Sequence, residues 1–180
     1  GFFFYVCHML LAGHKVALRA LEPSDLDLIY SWENNPEVWE VSHTLVPFSK
    51  FVLMQYLKTQ HLDIYTSKQL RLVIENKNSD SIGLIDLFEF EPKHKRVGVG
   101  VLVDEKSRGK GYAREALSIL EEYCFKHLDL KQIYANIGSK NKVSLQLFEG
   151  LGYQKVGVKK DWIKTTNGFE DEILYQKIKP

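Results

Sequence analysis

Two groups of residues in this chain have types and spacings suited to chemistry: a glycine-rich basic loop and a scatter of carboxylates. The loop is Arg108-Gly109-Lys110-Gly111-Tyr112-Ala113. It follows Val97-Gly98-Val99-Gly100-Val101-Leu102-Val103, a β-branched run that reads as a strand stopping at Asp104-Glu105. It precedes Ala113, Leu117, Leu120, Cys124 and Leu128, whose spacing predicts a long amphipathic helix. Strand, glycine turn and helix together describe an anion site. The first N–H groups of a helix lack internal partners, the macrodipole adds positive charge, and glycines let phosphate oxygens approach the backbone. Two well-known phosphate signatures do not fit. The mononucleotide P-loop needs a properly placed upstream glycine and a hydroxyl after its lysine, and Lys110 is followed by Gly111. The dinucleotide fingerprint would need glycine where Arg114 or Val103 stands.

The carboxylates are candidates for binding a cation and accepting a proton. Asp86, Glu89 and Glu91 lie on or just past a strand, and the two-residue period puts Asp86 and Glu89 on opposite faces, so only one looks into a given cleft. Glu33 and Glu40 fall in an upstream helical region, and Glu170, Asp171 and Glu172 in a late strand. Converging on a cleft, such groups attract a polycation and take a proton from it through ordered water; otherwise they are a solvated face.

The elements that must position these groups follow in order. Lys15 to Ala20 reads as a strand, and Pro23-Ser24-Asp25 opens a helix, with Ser24 as cap, that ends at Asn34-Asn35-Pro36. A short helical piece from Pro36 to Trp39 and a helix opened by Pro47-Phe48-Ser49 complete a lid region. Strands are predicted at 69–75 and 82–90, joined by the polar turn 76–80, then at 131–137, 154–163 and 170–178, with a helix from Asn141. At 180 residues, 44% hydrophobic and 12% aromatic, the chain suits one domain with a full core. A net charge of +1 gives no basic field of the kind nucleic acid requires, so no nucleic-acid partner is expected. Cys7 and Cys124 have neither metal-ligand nor disulfide spacing, which points to no metal and a reducing cytoplasm. The apolar start, Gly1 to Ala12, is too short to span a bilayer and has no cationic leader, so no membrane partner is expected. Residues 1–14 are placed outside the fold, with Met9 as a candidate start; the alternative is an extra strand or helix packed on the domain.

The loop matches [RQ]-x-x-G-x-[GA] and resembles the pyrophosphate loop of the GNAT superfamily of acetyl-CoA-dependent N-acetyltransferases. A second stretch, Asn141 to Tyr153, is similar to that family's N-x-x-[AS]-x-x-[LI]-[YF]-x-[KG]-x-G-[FY] element. The resemblance runs from about Lys15 to the C-terminus. It is nearest in flavour to the branch of spermidine N-acetyltransferases and ribosomal-protein N-terminal acetyltransferases. It implies an α/β GNAT fold over residues 15–180, a mixed, mostly antiparallel sheet of about seven strands flanked by helices.

The resemblance further implies transfer of acetyl from acetyl-CoA to a primary amine within a ternary complex. Aminolysis of a thioester needs a neutral amine, a stabilised oxyanion and a proton for the thiolate. By resemblance the pantetheine arm runs along Val101, Leu102 and Val103, with the Leu102 N–H polarising the carbonyl. Arg108, Gly109, Lys110, Gly111, Tyr112 and Ala113 hold the pyrophosphate, Lys142 adds charge, and Asn141 touches the pantetheine or caps its helix. The family's thiolate acid is a tyrosine where this chain has Phe148, which has no proton to give; Ser144, one turn earlier, is the candidate replacement, with Tyr134 and Tyr112 behind it. Glu33, Glu40 and Asp86 are expected to hold the acceptor, with Asp86 or Glu89 as base. A polyamine such as spermidine leads as acceptor; a protein N-terminus and a catalytically weak acyl-CoA-binding module are the alternatives, and a homo-oligomer stays open.

Overall fold

Alternating β-branched residues and polar turns build seven strands, and the pairing of those strands sets the rest of the architecture. The computed structural model describes residues 11–36, 38–39 and 44–180. Its strands are β1 (Val16–Ala20), β2 (Leu70–Asn76), β3 (Ser81–Glu91), β4 (Arg96–Val103), β5 (Gln132–Gly138), β6 (Gln154–Thr165) and β7 (Gly168–Ile178). They form one sheet in the order β1-β2-β3-β4-β5-β7-β6, and the β4–β5 pair is the parallel one. The mixed, mostly antiparallel seven-stranded sheet expected from the sequence is therefore present.

Helices cover both faces. On one, α4 (Tyr112–Glu122) and α5 (Lys142–Gly150) pack over Val97, Val99, Ile133 and Ala135. The predicted stripe is buried through its middle: Leu117 and Leu120 of α4, and Cys124 of the π-helical turn Tyr123–His127 that continues it, are each at most 1% exposed. Burial of each such leucine contributes roughly 1.5–3 kcal/mol. On the other face, α1 (Leu26–Glu33) and α2 (Lys50–Lys58) pack through Ile29, Trp32, Tyr56 and Leu57 against Val73 of β2 and Leu84 of β3. This second layer is the lid region. The one-turn α3 (Ile64–Ser67) leads into β2.

Two expectations are corrected here. Ser24 is not the helix cap: Pro23 to Asp25 form a 3-10 turn entered from an extended Glu22, whose N–H donates to Asp25 Oδ2 at 2.8 Å. Proline at the first position fixes that entry, and Arg19 then holds the buried Asp25 through both carboxylate oxygens. Nor do residues 11–14 lie outside the fold. Leu11 packs on the core, Ala12 bridges Ala17, and the Gly13 N–H donates to Val16 O at 2.8 Å. The carboxylate that fastens this turn is on α4, 99 residues beyond Val16 in sequence, so nothing local to the turn announces it. Residues 1–10 lie outside the described residues.

Candidate active site

The central feature is a split between two neighbouring strands. β3 pairs with β4 from Phe88↔Gly98 through Gly83↔Val103, whereas β5 pairs with β4 through Arg96, Val97 and Gly98 alone. Beyond Gly98 the parallel strands part. Val99 to Val103 then keep one edge without a strand partner among the described residues. Strand parity decides which groups lie on that edge, because the N–H and C=O of a strand residue share a side and the side alternates. Asp104 N–H donates to Ile82 O of β3 at 2.8 Å, while Lys95 O accepts from Gln132 N–H of β5 at 3.1 Å. Even-numbered residues thus face β3, and Val99, Val101 and Val103 face the opening. The Val103 carbonyl agrees, since it accepts from Arg108 Nε at 3.0 Å. Leu102, which the sequence reading makes the oxyanion donor, therefore has its N–H turned to β3. Val101 and Val103 present the available N–H groups.

At the open end of β4 a short 3-10 turn, Glu105–Ser107, leads into the glycine loop. Gly109 and Gly111 adopt φ of 76° and 81°, in the left-handed region that side chains resist, which is why glycine occupies both places. Gly111 is the N-cap of α4 and supplies no side-chain cap, so the N–H groups of Tyr112 and Ala113 at the helix end have no intrahelical acceptor. Lys110 Nζ donates to Lys106 O at 3.2 Å. Lys15 adds a cation that motif reading misses. Its Nζ donates to Lys110 O at 3.1 Å and lies 3.1 Å from where a Gly111 Cβ would be.

Lys15 is held there by Glu115, in the first turn of α4. The Glu115 carboxylate accepts from the N–H groups of His14, Lys15 and Val16 at 3.0, 2.6 and 2.8 Å. Partial burial works against its charge, but the three donors outweigh that and hold its carboxyl below the usual range. The start of β1 is thereby tied to the helix that carries the loop.

On the lid face, cross-strand pairing lines up Arg71 with Asp86 and Asp86 with Gly100. Arg71 grips Asp86 with Nε to Oδ1 at 2.6 Å and Nη2 to Oδ2 at 3.0 Å, and its Nη1 pairs with Glu33 of α1. The Tyr56 ring of α2 lies 5.7 Å from the guanidinium carbon. Burial opposes the charge on Arg71, but Asp86 and Glu33 outweigh it and hold the group protonated. Two expected acceptor carboxylates are thus brought together beside Gly100, with an unforeseen arginine that leaves the trio a net charge of −1. Glu40, the third, lies outside the described residues. Asp171 and Glu172 form ion pairs with Lys160 and Lys159 on the β6–β7 ribbon.

Glu89 departs from the two-residue period. The β3–β4 register shifts between Phe88 and Glu91, and Glu89 has φ of 50°. The bulge brings its carboxylate to Tyr134 OH, which donates to it, and the Tyr134 ring stands edge-on to Phe88 at 6.0 Å. Phe88 lies opposite Gly98 on the lid face, so Glu89 reaches the same face as Asp86 rather than the opposite one. The cause is local, a bulge that breaks alternation. Partial burial and the Glu89 bond push the Tyr134 phenol well above its ordinary range.

The other expected residues sit on α5, in the opposite layer. Asn141 is its N-cap, Oδ1 accepting from Ser144 N–H at 3.1 Å. Ser144 is half-buried, and Phe148 is 3% exposed with its ring edge-on to Tyr153 at 4.9 Å. Ser144 thus sits in the layer opposite the lid-face carboxylates.

A split strand pair, with a glycine loop and a helix N-terminus following its open strand, carries strong family information. The model of the acetyltransferase (GNAT) domain matches residues 15–154. The chain belongs to the GNAT acetyltransferase family. Among relatives of this acetyltransferase, spermidine N(1)-acetyltransferase of Vibrio cholerae serotype O1 is 28% identical over 143 residues, 79% of this chain and 81% of that protein. The Escherichia coli K12 protein of the same name is 27% identical over 146 residues, 81% and 76% of the two chains. The fold superposes on spermidine N-acetyltransferase from Vibrio cholerae, solved with CoA and spermine, with a TM-score of 0.83. That superposition covers 91% of this chain and 95% of the other at 24% identity. A dodecameric form of the Vibrio cholerae enzyme superposes with a TM-score of 0.76 at 24% identity. Among the described residues of this acetyltransferase, no helix is long and apolar enough to cross a membrane.

Proposed function

We propose that this acetyltransferase moves acetyl from acetyl-CoA to a primary amine of a polyamine such as spermidine, directly within a ternary complex. The observation that carries the reading is the split beyond Gly98, with a phosphate-ready loop at its mouth and carboxylates on its lid side. The names of the relatives at 27–28% identity support the same substrate class. The groups present fit acetyl-CoA. The free edge of β4 offers N–H groups at Val101 and Val103 to amides of the pantetheine arm. The loop offers N–H groups with no Cβ over Gly109 or Gly111 to keep phosphate away. Acetyl-CoA supplies the activated acyl group. Val101 or Val103 N–H stabilises charge on its carbonyl oxygen, Asp86 and Glu33 draw in the ammonium groups of the acceptor, and Asp86 or Glu89 takes the proton through water. With Phe148 in the place of the family phenol, the thiolate takes its proton from water. We place the enzyme in the cytoplasm, where the free Cys124 thiol stays reduced, and a second copy of the chain as partner accords with the assembly of the Vibrio cholerae relative.

Arg71 favours a second reading to be tested alongside. A trio charge of only −1 suits one ammonium as well as several, which is what a peptide N-terminus brings. Thiol release measured with spermidine and with short peptides separates the two. For spermidine the Michaelis constant should rise with salt, as the Debye length falls from about 10 Å at 0.1 M to about 3 Å at 1 M. Asp86→Asn removes one charge; at roughly 6 Å in a water-like medium this is worth about 0.7 kcal/mol, so the constant should rise about three-fold or more. Efficient turnover of a peptide with no salt-sensitive turnover of spermidine replaces the polyamine reading.

A further inference from the structure

On the β1 side of α4 lies a hollow of about 420 Å³, of which the reaction above uses only the wall that the loop provides. Three separate stretches wall it: His14 and Lys15 from the turn into β1, the β2–β3 hairpin with Lys77 and Asn78, and Lys110 and Tyr112 from the loop. None of its described lining residues is acidic. The three ammonium groups are each fixed by a backbone carbonyl: Lys15 by Lys110 O at 3.1 Å, Lys77 by Gly13 O at 2.9 Å, Lys110 by Lys106 O at 3.2 Å. A carbonyl positions an ammonium without cancelling its charge. Glu115, the carboxylate that reaches the same turn, has both oxygens occupied by backbone N–H groups. The hollow is thus a built concentration of three positive charges, continuous with the pyrophosphate loop through Lys110 and Tyr112.

We propose that this hollow receives the 3′-phosphate of CoA, and that Lys15 and Lys77 make the enzyme selective for CoA over dephospho-CoA. The inference rests on the acetyl-CoA reading. A phosphate monoester carries between about 1.5 and 2 negative charges at neutral pH, and lysine binds phosphate as a point charge without demanding one geometry. The ribose that bears the 3′-phosphate follows directly on the pyrophosphate. Lys15 touches both the loop and the hollow, so it spans the step from one phosphate group to the next. Lys77 stands on the hairpin and is anchored on Gly13 O rather than on the loop, which makes it the discriminating position.

The test is calorimetric titration of CoA and dephospho-CoA into the wild type, Lys77→Ala and Lys77→Glu, with thermal midpoints as a check on folding. The wild type should bind CoA about ten-fold or more tighter than dephospho-CoA, the order of one or two charge-assisted contacts. Lys77→Ala should weaken CoA several-fold and leave dephospho-CoA unchanged, and Lys77→Glu should bring the ratio near one. A wild-type ratio already near one, or a ratio that Lys77→Glu does not move while CoA still binds, overturns the proposal. If neither ligand binds the folded wild type, the acetyl-CoA reading falls and takes this inference with it.

Discussion

Replacing Glu115 by glutamine isolates a single tether between the N-terminal turn and α4. The native carboxylate serves three backbone donors, two of them, Lys15 and Val16, on the same oxygen. Glutamine keeps one oxygen for that pair and turns an amide N–H₂ toward the third donor, His14. One hydrogen bond is lost and two pass from charged to neutral acceptors. Bonds to charged groups contribute roughly 1.5–3 kcal/mol and neutral ones about 1 kcal/mol. The site is half-exposed, so solvent screening places the total loss near the low end, about 2 kcal/mol. For a chain of this size that lowers the melting midpoint by about 4–8 °C. The pH dependence has a definite sign. The folded carboxyl titrates below its unfolded value, so its contribution is complete above the ordinary glutamate range near about pH 4.3 and disappears as pH falls through the folded value. Urea midpoints of wild type and Glu115→Gln should differ above the ordinary glutamate range and draw together as pH falls below it. Equal stability at pH 7, or a gap that persists undiminished in acid, would refute the tether.

Gly98→Ala and Gly100→Ala should behave oppositely, because an added Cβ meets the Phe88 ring at 2.3 Å in the first and at 3.9 Å in the second. Scanning calorimetry should show a loss of about 1–3 kcal/mol for Gly98→Ala and little change for Gly100→Ala. Gly111→Val puts a branched side chain at φ 81° and a Cβ against Lys15 Nζ; CoA affinity by calorimetry should fall at least about ten-fold, with the circular dichroism spectrum retained, and unchanged affinity removes the loop from the site. Phe148→Tyr should raise the turnover number if thiolate protonation limits the rate, and an unchanged value leaves water as the donor or makes product release the slow step.

What could be read from the sequence divides by how far apart the deciding residues lie. The strand 97–103, the glycine loop and the helix after it are contiguous, so period and turn chemistry describe them without knowledge of neighbours, and Gly109 and Gly111 adopt the positive φ their type suggests. The donor on β4 is a different matter. Choosing between Leu102 and its neighbours requires knowing which strand lies on each side, and that follows from the Lys95 and Asp104 bonds rather than from local pattern. Glu89 was beyond reach of periodicity because a bulge adds a residue without any glycine to announce it. Arg71 pairs with residues 15 and 38 positions away, and Lys15 with one 95 away. Such charges look like ordinary surface residues until the fold folds them onto their partners.

An open sheet of seven strands has two outer edges, and the parting of β4 from β5 gives this one two more, facing each other inside the molecule. Exposed peptide groups of that kind are a template on which any extended chain can dock. On the acetyl-CoA reading, the pantetheine arm with its own amides adds to β4 much as a peptide adds a strand to a sheet, and the co-substrate is also the missing piece of the fold. Stability then becomes a function of supply: a ligand at a hundred times its dissociation constant adds about 2.7 kcal/mol to the folded state. Cells short of CoA would hold this enzyme not merely idle but with an open seam, more readily opened by proteases and more prone to pair with its neighbours.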